Sequence, residues 1–327
     1  MSNAELSVSR LKIKSVDLFT NIIMKETSFL PIEIVESILL CLPLQERFYV
    51  SVHLRSLFIR DKCILLLRYA SMDHASRKGQ VDLLTWWKNS GLECRWSKSA
   101  MDWASERGHV HVLEWWKNSE LEQKWNTYGM DLASAAGNES VLEWWKNSHL
   151  KCKWSFSAMD WASRKGHVHI LEWWKNSSLE CKWSEYAMDW ASYKGHVQVL
   201  EWWKNSGLEF RFSDCVMDKA SAHGNLSVLE WWENSSLECK YTSSAMDWAS
   251  SRGHTSVLEW WKNSSLDCKY TSSAIDLASR KGHGQVLEWW KNSGLVCRCG
   301  VLTIRRALEG HEWWDNNVDM ICKCNTD

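Results

Sequence analysis

One hydrophobic and polar pattern repeats along most of this chain with a period of 29 residues. Pairs of adjacent tryptophans mark the period. The first Trp of each pair stands at Trp86, Trp115, Trp144, Trp173, Trp202, Trp231, Trp260 and Trp289. A ninth pair, Trp313-Trp314, follows after only 24 residues. Identical spacing without insertions predicts that each unit is one supersecondary element stacked on the next.

Within each unit the pattern predicts two short helices. In one unit these are the segments AMDWASER and VHVLEWWKNS, which place apolar residues at helical spacing. A residue of helix-capping type precedes the first helix, at Ser97, Asn126, Ser155, Ser184, Ser213, Thr242 and Thr271. A glycine that suits the left-handed end of a helix separates the two, at Gly79, Gly108, Gly137, Gly166, Gly195, Gly224, Gly253 and Gly282. We therefore expect an all-α solenoid of eight helix pairs with terminal caps.

The unit resembles the ankyrin repeat. The stretch SAMDWASERGH, from Ser99 to His109, lies without a gap over that family's pattern T-P-L-H-x-A-A-x-x-G-H. Two departures stand out: the Ser-Ala-Met-Asp start, and a length of 29 residues where the family has about 33. The missing residues fall in the link between units, so we expect ankyrin-like helix pairs with blunted or absent β-hairpin fingers. The resemblance covers roughly three-quarters of the chain and implies protein binding.

The paired tryptophans could be either ligand platforms or core residues. In the second helix, Val112, Leu113, Trp115 and Trp116 form one apolar stripe. Because helices pack about 8–10 Å apart, equivalent tryptophans in neighbouring units cannot sandwich a ring between stacked faces. We predict that the pairs are core residues, with Trp115-type rings half exposed on the outer face. A binding role for that face is the minor alternative.

Cysteine forms a column that could suggest disulfides, at Cys94, Cys152, Cys181, Cys239, Cys268 and Cys297. A spacing of about 10 Å between units exceeds the Cα separation of about 7 Å that a disulfide allows. Histidine follows the glycine at His109, His167, His196, His254 and His283, where we expect hydrogen bonds to the turn and to a neighbouring unit. The pairs Cys297-x-Cys299 and Cys322-x-Cys324 are a weak zinc candidate. We expect no cofactor.

The charge and composition of the chain limit the classes of function that we expect. The net charge is −1 and no basic stripe dominates, so a nucleic-acid partner is not expected. The sequence contains no run of 18 apolar residues, so no membrane span is predicted. The N-terminus lacks the apolar core of a signal peptide. Twelve cysteines in such a chain indicate free thiols in the cytoplasm, the nucleus or both. No nucleophile–base pair, phosphate loop or metal motif stands out, so we do not predict an enzyme.

Residues 29–58, FLPIEIVESILLCLPLQERFYVSVHLRSLF, resemble the F-box, a helical module that docks onto the Skp1 adaptor of a ubiquitin ligase. The motifs are a Leu-Pro-x-Glu-Ile start and a Leu-Pro centre; the aromatic near the end, usually Trp, is Phe58. Carried over, the adaptor-docking residues are Leu30, Pro31, Ile34, Ile38, Leu39, Leu42 and Pro43. The resemblance implies a Skp1-like adaptor as a partner.

The same segment can also be a cap for the array. Leu57-Phe58 lies 29 residues before Trp86-Trp87, so residues 43–66 could be a worn repeat preceded by one capping helix. The predicted organisation is an N-terminal helical extension at 1–28, F-box-like or capping helices at 29–66, the ankyrin-like repeats at 67–298 and a C-terminal cap at 299–327.

Comparing the units with each other identifies a variable face. The changing columns lie at both ends of the first helix, which lines the concave face in ankyrin-like arrays. Aromatic and Arg side chains on such a face are typical binding anchors. The candidate partner-binding residues are Glu106, Arg107, Tyr128, Phe156, Arg164, Lys165, Tyr186, Tyr193, Lys194, Lys219, His223, Arg252, Arg280 and Lys281. The expected function is a protein-interaction scaffold, either a substrate receptor of an SCF-type ubiquitin ligase or a plain scaffold or inhibitor.

Overall fold

The computed structural model describes residues 72–89, 96–122 and 124–296. The segments 1–28, 29–66 and 299–327, the adaptor-docking residues and the terminal Cys-x-Cys pairs lie outside the described residues, so they stay predictions. The described chain forms two compact units, which divide after Trp154.

The unit that ends at Trp154 contains three helix pairs. Its helices are α1 (Met72–Arg77), α2 (Val81–Asn89), α3 (Ser99–Glu106), α4 (Val110–Asn118), α5 (Tyr128–Ala136) and α6 (Glu139–Asn147). The odd-numbered helix is the first of each pair and the even-numbered helix is the second.

The unit that begins at Ser155 contains five helix pairs. Its helices are α7 (Ser157–Lys165), α8 (Val168–Asn176), α9 (Tyr186–Lys194), α10 (Val197–Asn205), α11 (Val216–Ala222), α12 (Leu226–Asn234), α13 (Ser244–Ser251), α14 (Thr255–Asn263), α15 (Ser273–Arg280) and α16 (Gly284–Asn292). Over the described ranges every regular element is an α-helix, which confirms the all-α class and the eight predicted helix pairs.

Small side chains bring the first helices together. Within each unit, neighbouring first helices contact each other more extensively than neighbouring second helices do. The reason lies in the sequence AMDWAS: Ala158, Met159 and Ala162 of α7 are fully buried, and alanine lets two helix backbones approach closely. The second helices carry tryptophan at the equivalent depth, which holds them further apart.

The turn between the two helices requires glycine for two reasons. Gly166 ends α7 in the left-handed conformation, with φ of 81°, and an L side chain is strained there. A Cβ at the same position would also lie 3.0 Å from the ring of His196 in the next repeat. The His196 Nε2 in turn donates to the Arg164 carbonyl oxygen at 3.1 Å. The predicted role of the histidine column, bonding a turn and a neighbouring unit, is confirmed at this position.

The predicted capping residues act just before each first helix. The Ser184 hydroxyl accepts from the Tyr186 N–H at 3.2 Å, and the helix begins at Tyr186 itself. Equivalent bonds join Ser97 to Ser99, Asn126 to Tyr128, Ser155 to Ser157, Thr242 to Ser244 and Thr271 to Ser273. The exception is Ser213, whose hydroxyl faces the Cys215 sulfur at 3.3 Å, and α11 begins late, at Val216.

In five described repeats an aspartate of the preceding repeat, buried in all but Asp73, holds the capping residue. Asp160 Oδ1 accepts from the Ser184 N–H at 2.9 Å, and its Oδ2 accepts from the Ser184 hydroxyl at 2.5 Å. We call this arrangement the carboxylate clasp. It recurs in the pairs Asp73–Ser97, Asp189–Ser213, Asp218–Thr242 and Asp247–Thr271. Each clasp fixes the entry of one first helix against its neighbour.

Asp102 is buried without this clasp. Its exposed fraction is 6%, and its Oδ1 has no hydrogen-bond partner. The residue at the capping position of the next repeat is Asn126, whose Oδ1 is already used by the Tyr128 N–H. Burial raises the pKa of Asp102 to about 7, opposed by the charge of Lys98. In the clasped equivalent, burial raises the pKa of Asp160 to about 6, and the two bonds from Ser184 oppose the rise.

Candidate protein-interaction surface

The second tryptophan of each pair is structural. Trp203 is fully buried, and its Nε1 donates to the Ser163 hydroxyl of the preceding repeat at 3.0 Å. The same bond spans 40 residues in the pairs Trp116–Ser76, Trp145–Ser105, Trp232–Ser192, Trp261–Ser221 and Trp290–Ser250. Because the ring is buried and its one polar atom is hydrogen-bonded, this tryptophan has no exposed surface for a ligand to bind. The predicted core role is confirmed for these residues.

The first tryptophan is half-buried in most pairs and is also bound internally. Trp202 Nε1 donates to Glu172 Oε2 at 2.8 Å, and the Asn176 side chain donates to Glu172 Oε1 at 2.8 Å. These two bonds lower the pKa of Glu172, the tryptophan bond being the larger cause. The ring stands edge-on to Trp203, with centroids 5.0 Å apart at 82°. On the outer face of the second helices, hydrogen bonds of this kind therefore link one repeat to the next.

The exposed aromatic side chains lie instead on the first helices. In the unit that begins at Ser155, Phe156, Tyr186 and Trp248 have exposed fractions of 54%, 45% and 41%. Tyr128 of the preceding unit is 51% exposed at the start of α5. In the unit that begins at Ser155, the three exposed aromatics lie on first helices or at their start, whereas the second-helix tryptophans are buried or half-buried, so the first-helix face is the one that exposes large apolar rings.

On α9 the aromatic residues form a preordered ridge. Tyr186, Trp190 and Tyr193 stand at i, i+4 and i+7, which places them on one side of the helix. Tyr186 stacks on Trp190 with centroids 5.2 Å apart at 17°, and the Arg164 guanidinium lies 5.3 Å from the Trp190 ring centroid. These contacts restrict the rotamers of the ridge before any partner arrives.

The ridge continues into the next two repeats through His223. The His223 ring lies against Tyr193 at a centroid distance of 3.8 Å. Its Nδ1 donates to the Lys219 carbonyl oxygen at 3.2 Å, which leaves Nε2 to accept from Arg252 Nη1 at 2.8 Å. Burial lowers the pKa of His223, and the nearby charges of Arg252 and Lys194 lower it further. The imidazole is thus held neutral as a bridge between Tyr193 and Arg252.

Lys219 has an internal partner. It replaces the Trp or Leu found at this position of other repeats, and its ammonium bonds the fully buried carboxylate of Asp189. The Ser213 hydroxyl lies 3.4 Å from the same nitrogen. Lys219 therefore completes the clasp between Asp189 and Ser213, and its role in partner binding stays a prediction.

The other candidate cations reach solvent at the C-terminal ends of the first helices. Those residues are Arg107, Arg164, Lys165, Lys194, Arg252, Arg280 and Lys281. Glu106 is half-buried at the end of α3. The structure thus links Arg164, Tyr186, Tyr193, His223 and Arg252 through the ridge, and Lys165, Arg280 and Lys281 lie outside those contacts.

Trp248 is a surface residue that the sequence did not single out. It occupies the same column as Trp103, Trp161 and Trp190, which are half-buried. The residue one repeat earlier in that column is Lys219, which bonds Asp189 instead. This change from Trp to Lys was the signal in the sequence that could have pointed to Trp248. Because Trp248 is exposed, we add it to the candidate surface.

The cysteine column holds free thiols where the structure describes it. The Cys181 thiol donates to the Trp174 carbonyl oxygen at 3.5 Å, and Cys239 and Cys268 make the same bond to Trp232 and Trp261. Burial raises the pKa of each of these thiols, which keeps them unreactive. Within 72–89, 96–122 and 124–296, no cluster of metal-ligating side chains is present.

Comparisons with known proteins give likenesses among solved structures. No protein-family model and no curated protein matches the chain. Among solved structures, the chain is similar to a crystal structure of the human ASB11 ankyrin repeat domain, with 14% sequence identity and a TM-score of 0.44. The match covers 54% of this chain and 90% of that one. None of the helices described for this chain is long and apolar enough to cross a membrane.

Proposed function

We propose that this chain is a protein-interaction scaffold whose first-helix face, centred on α7, α9 and α13, binds a protein target. The observation that carries the proposal is the contrast in aromatic exposure: Phe156, Tyr186 and Trp248 are open to solvent, while the described second-helix tryptophans of the same unit are buried or half-buried. Aromatic and Arg side chains on a rigid surface are the usual anchors of protein interfaces. The ridge supplies both.

Site-specific photo-crosslinking tests this proposal in the cells that express the protein. A photoreactive phenylalanine analogue at Tyr186 or Trp248 is expected to give discrete adducts with a partner protein, identified by mass spectrometry. The matched control is the same analogue at Lys204, an exposed residue near the C-terminal end of the second helix α10. Adducts at the control that equal those at the ridge would exclude a specific first-helix interface.

A triple variant provides the second arm. Phe156→Ser, Tyr186→Ser and Trp248→Ser together remove exposed rings and leave the buried core unchanged, so the helical circular dichroism signal is expected to persist. The affinity of the purified partner for this variant is expected to fall about 100-fold, since each anchor contributes on the order of 1 kcal/mol or more. An unchanged affinity would refute the assigned face.

The finer proposal is that residues 29–66 link the scaffold to a ubiquitin ligase. Its support is the sequence pattern around Leu30-Pro31 and Leu42-Pro43. A purified Skp1-like adaptor is expected to bind the full chain, and Leu30→Ala with Pro31→Ala is expected to abolish that binding without changing the melting temperature. If the double variant instead melts earlier and the adaptor never binds, the segment is a cap and the protein is a plain scaffold or inhibitor.

A further inference from the structure

The turns between first and second helices carry an unbalanced positive charge in one part of the chain. In the unit that begins at Ser155 these turns are residues 164–169, 193–198, 222–227, 251–256 and 280–285, which we call the turn edge. They contain six Lys and Arg residues and no Asp or Glu. The six are Arg164, Lys165, Lys194, Arg252, Arg280 and Lys281.

This charge is a local property and not a general feature of the repeat. The equivalent turns of the unit before Ser155 are residues 77–82, 106–111 and 135–140. They contain three cations, Arg77, Lys78 and Arg107, and three carboxylates, Asp82, Glu106 and Glu139. The repeat architecture therefore does not require the imbalance, and five successive turns without an acid form a distinct electrostatic surface.

The six cations share one edge because each stands one or two residues before the glycine of its turn. Neighbouring turns also touch: Arg252 Nη1 donates to the Ala222 carbonyl oxygen at 3.0 Å, and Tyr193 contacts His223. The aspartates of the first helices do not neutralise the edge, since four of the five, from Asp160 to Asp247, are buried in the core of the repeats. Lys219 compensates one of these buried charges and does not belong to the edge.

His223 and His254 add little charge to this edge at neutral pH. Burial lowers the pKa of His223 and of His254, with the Arg252 charge as a further cause in both. The positive field thus comes from Lys and Arg, which stay charged across the physiological range.

We propose that the turn edge binds an acidic segment of a partner protein, one rich in Asp and Glu. The proposal rests on the proposed function, because it names the chemistry of the protein that the first-helix face would hold. Charge complementarity supports a polyanion. Bases need open rings on which to stack. On α9 the rings are already covered, since Trp190 carries Tyr186 and Arg164, and Tyr193 carries His223, and this favours carboxylates over nucleic acid there. Phe156 and Trp248 are exposed, so the test includes single-stranded nucleic acid as the competing ligand.

The test is fluorescence anisotropy of the full chain with three labelled probes: a peptide of ten glutamates, a peptide of ten glutamines and single-stranded decauridylate. The glutamate peptide is expected to bind most tightly and to weaken at least tenfold between about 50 and 300 mM salt, because exposed charges are screened. The edge variant Lys165→Glu, Lys194→Glu and Arg252→Glu is expected to lose at least tenfold in affinity for that peptide.

The matched control places the same charge change on the other side of the same repeats. Lys175, Lys204 and Lys262 are exposed on the second helices α8, α10 and α14, and their triple change to Glu is expected to alter affinity less than twofold. Equal loss in both variants, no binding of the glutamate peptide at low salt, or tighter binding of decauridylate would each overturn the proposal. Photo-crosslinks at Tyr186 that persist alongside any of these results would leave the first-helix interface standing.

Discussion

Trp203→Ala is expected to lower the free energy of unfolding by about 3–5 kcal/mol, the cost of a large cavity in a packed core. Trp203 is fully buried, stands edge-on to Trp202 and meets the Trp183 ring at a centroid distance of 5.6 Å. Its loss also leaves the Ser163 hydroxyl without its donor. Urea unfolding followed by circular dichroism measures the change.

Trp202→Ala is the matched control for that prediction. Trp202 is the same residue type on the same helix turn, but it is half-buried and its Nε1 bonds Glu172 near the surface. Its loss is expected to cost about 1–2 kcal/mol, because less apolar area returns to water. Equal costs for the two variants would mean that the two rings share the core role. A cost at Trp203 below that at Trp202 would contradict the assigned burial.

Asp102→Asn is expected to become progressively more favourable, relative to the native chain, as the pH rises from about 4 to about 7. The native fold raises the pKa of Asp102 from 3.8 to about 7, so between these values the folded state binds more protons than the unfolded state. Stability of the native chain therefore falls through this window, by at most about 1.4 kcal/mol per pH unit. Asparagine has no proton to lose, so the variant avoids that penalty.

The difference between variant and native chain isolates this effect from other titrating groups. The pKa values of His74, His109, His223 and His254 are lowered by burial, so these histidines weaken the fold below about pH 6.5, with the opposite sign. Their contributions are present in both proteins and cancel in the difference. Unfolding free energies at pH 4, 5.5, 7 and 8 give the curve, and a flat difference would contradict the unclasped state of Asp102.

Two further substitutions sharpen that experiment. Asp160→Asn changes a clasped aspartate and is expected to gain less from rising pH than Asp102→Asn, because the pKa of Asp160 is raised only to about 6 and an amide cannot accept both bonds from Ser184. Asn126→Ser places a clasp donor opposite Asp102 and is expected to stabilise the chain at pH 8 by about 1–3 kcal/mol. If the two Asp→Asn variants behave alike, the clasp has no energetic role.

Much of the fold was available from the sequence because local signals agreed. The 29-residue period, the glycine column and the capping column each predicted the helix pair, and the structure places helix ends where those residues stand. The second tryptophan was predicted to be buried because it lies on the apolar stripe, which needs no knowledge of the neighbouring repeat. Period and amphipathicity together determine the class of fold.

Contacts between repeats were harder to predict, because they depend on the register of one repeat against the next. The bond from Trp203 to Ser163 and the bond from Ser184 to Asp160 span 40 and 24 residues, and neither spacing is a helical period. The constant Ser and Asp columns were the signals, but the sequence alone did not indicate their partners. The bond from Lys219 was not predicted for the same reason, since its partner Asp189 belongs to another repeat.

The aromatic residues in the links between repeats were not predicted to pack against the buried tryptophans. Trp183, Phe212, Tyr241 and Tyr270 share one column, and each packs against the buried tryptophan of its own repeat at 4.6–5.6 Å. The column changes between Trp, Phe and Tyr, so a pattern based on identity did not single it out. A column described by ring chemistry would have revealed a third core layer.

The fixed offsets of 24, 30 and 40 residues bear on how such a gene can change in length. Each offset joins a residue to the preceding repeat, so duplication or loss of one whole 29-residue module leaves both new neighbours carrying correctly placed partners. An insertion of any other length would misalign the tryptophan, glutamate and aspartate bonds at that junction together. The number of modules can therefore vary, whereas the length of each module is constrained by these bonds.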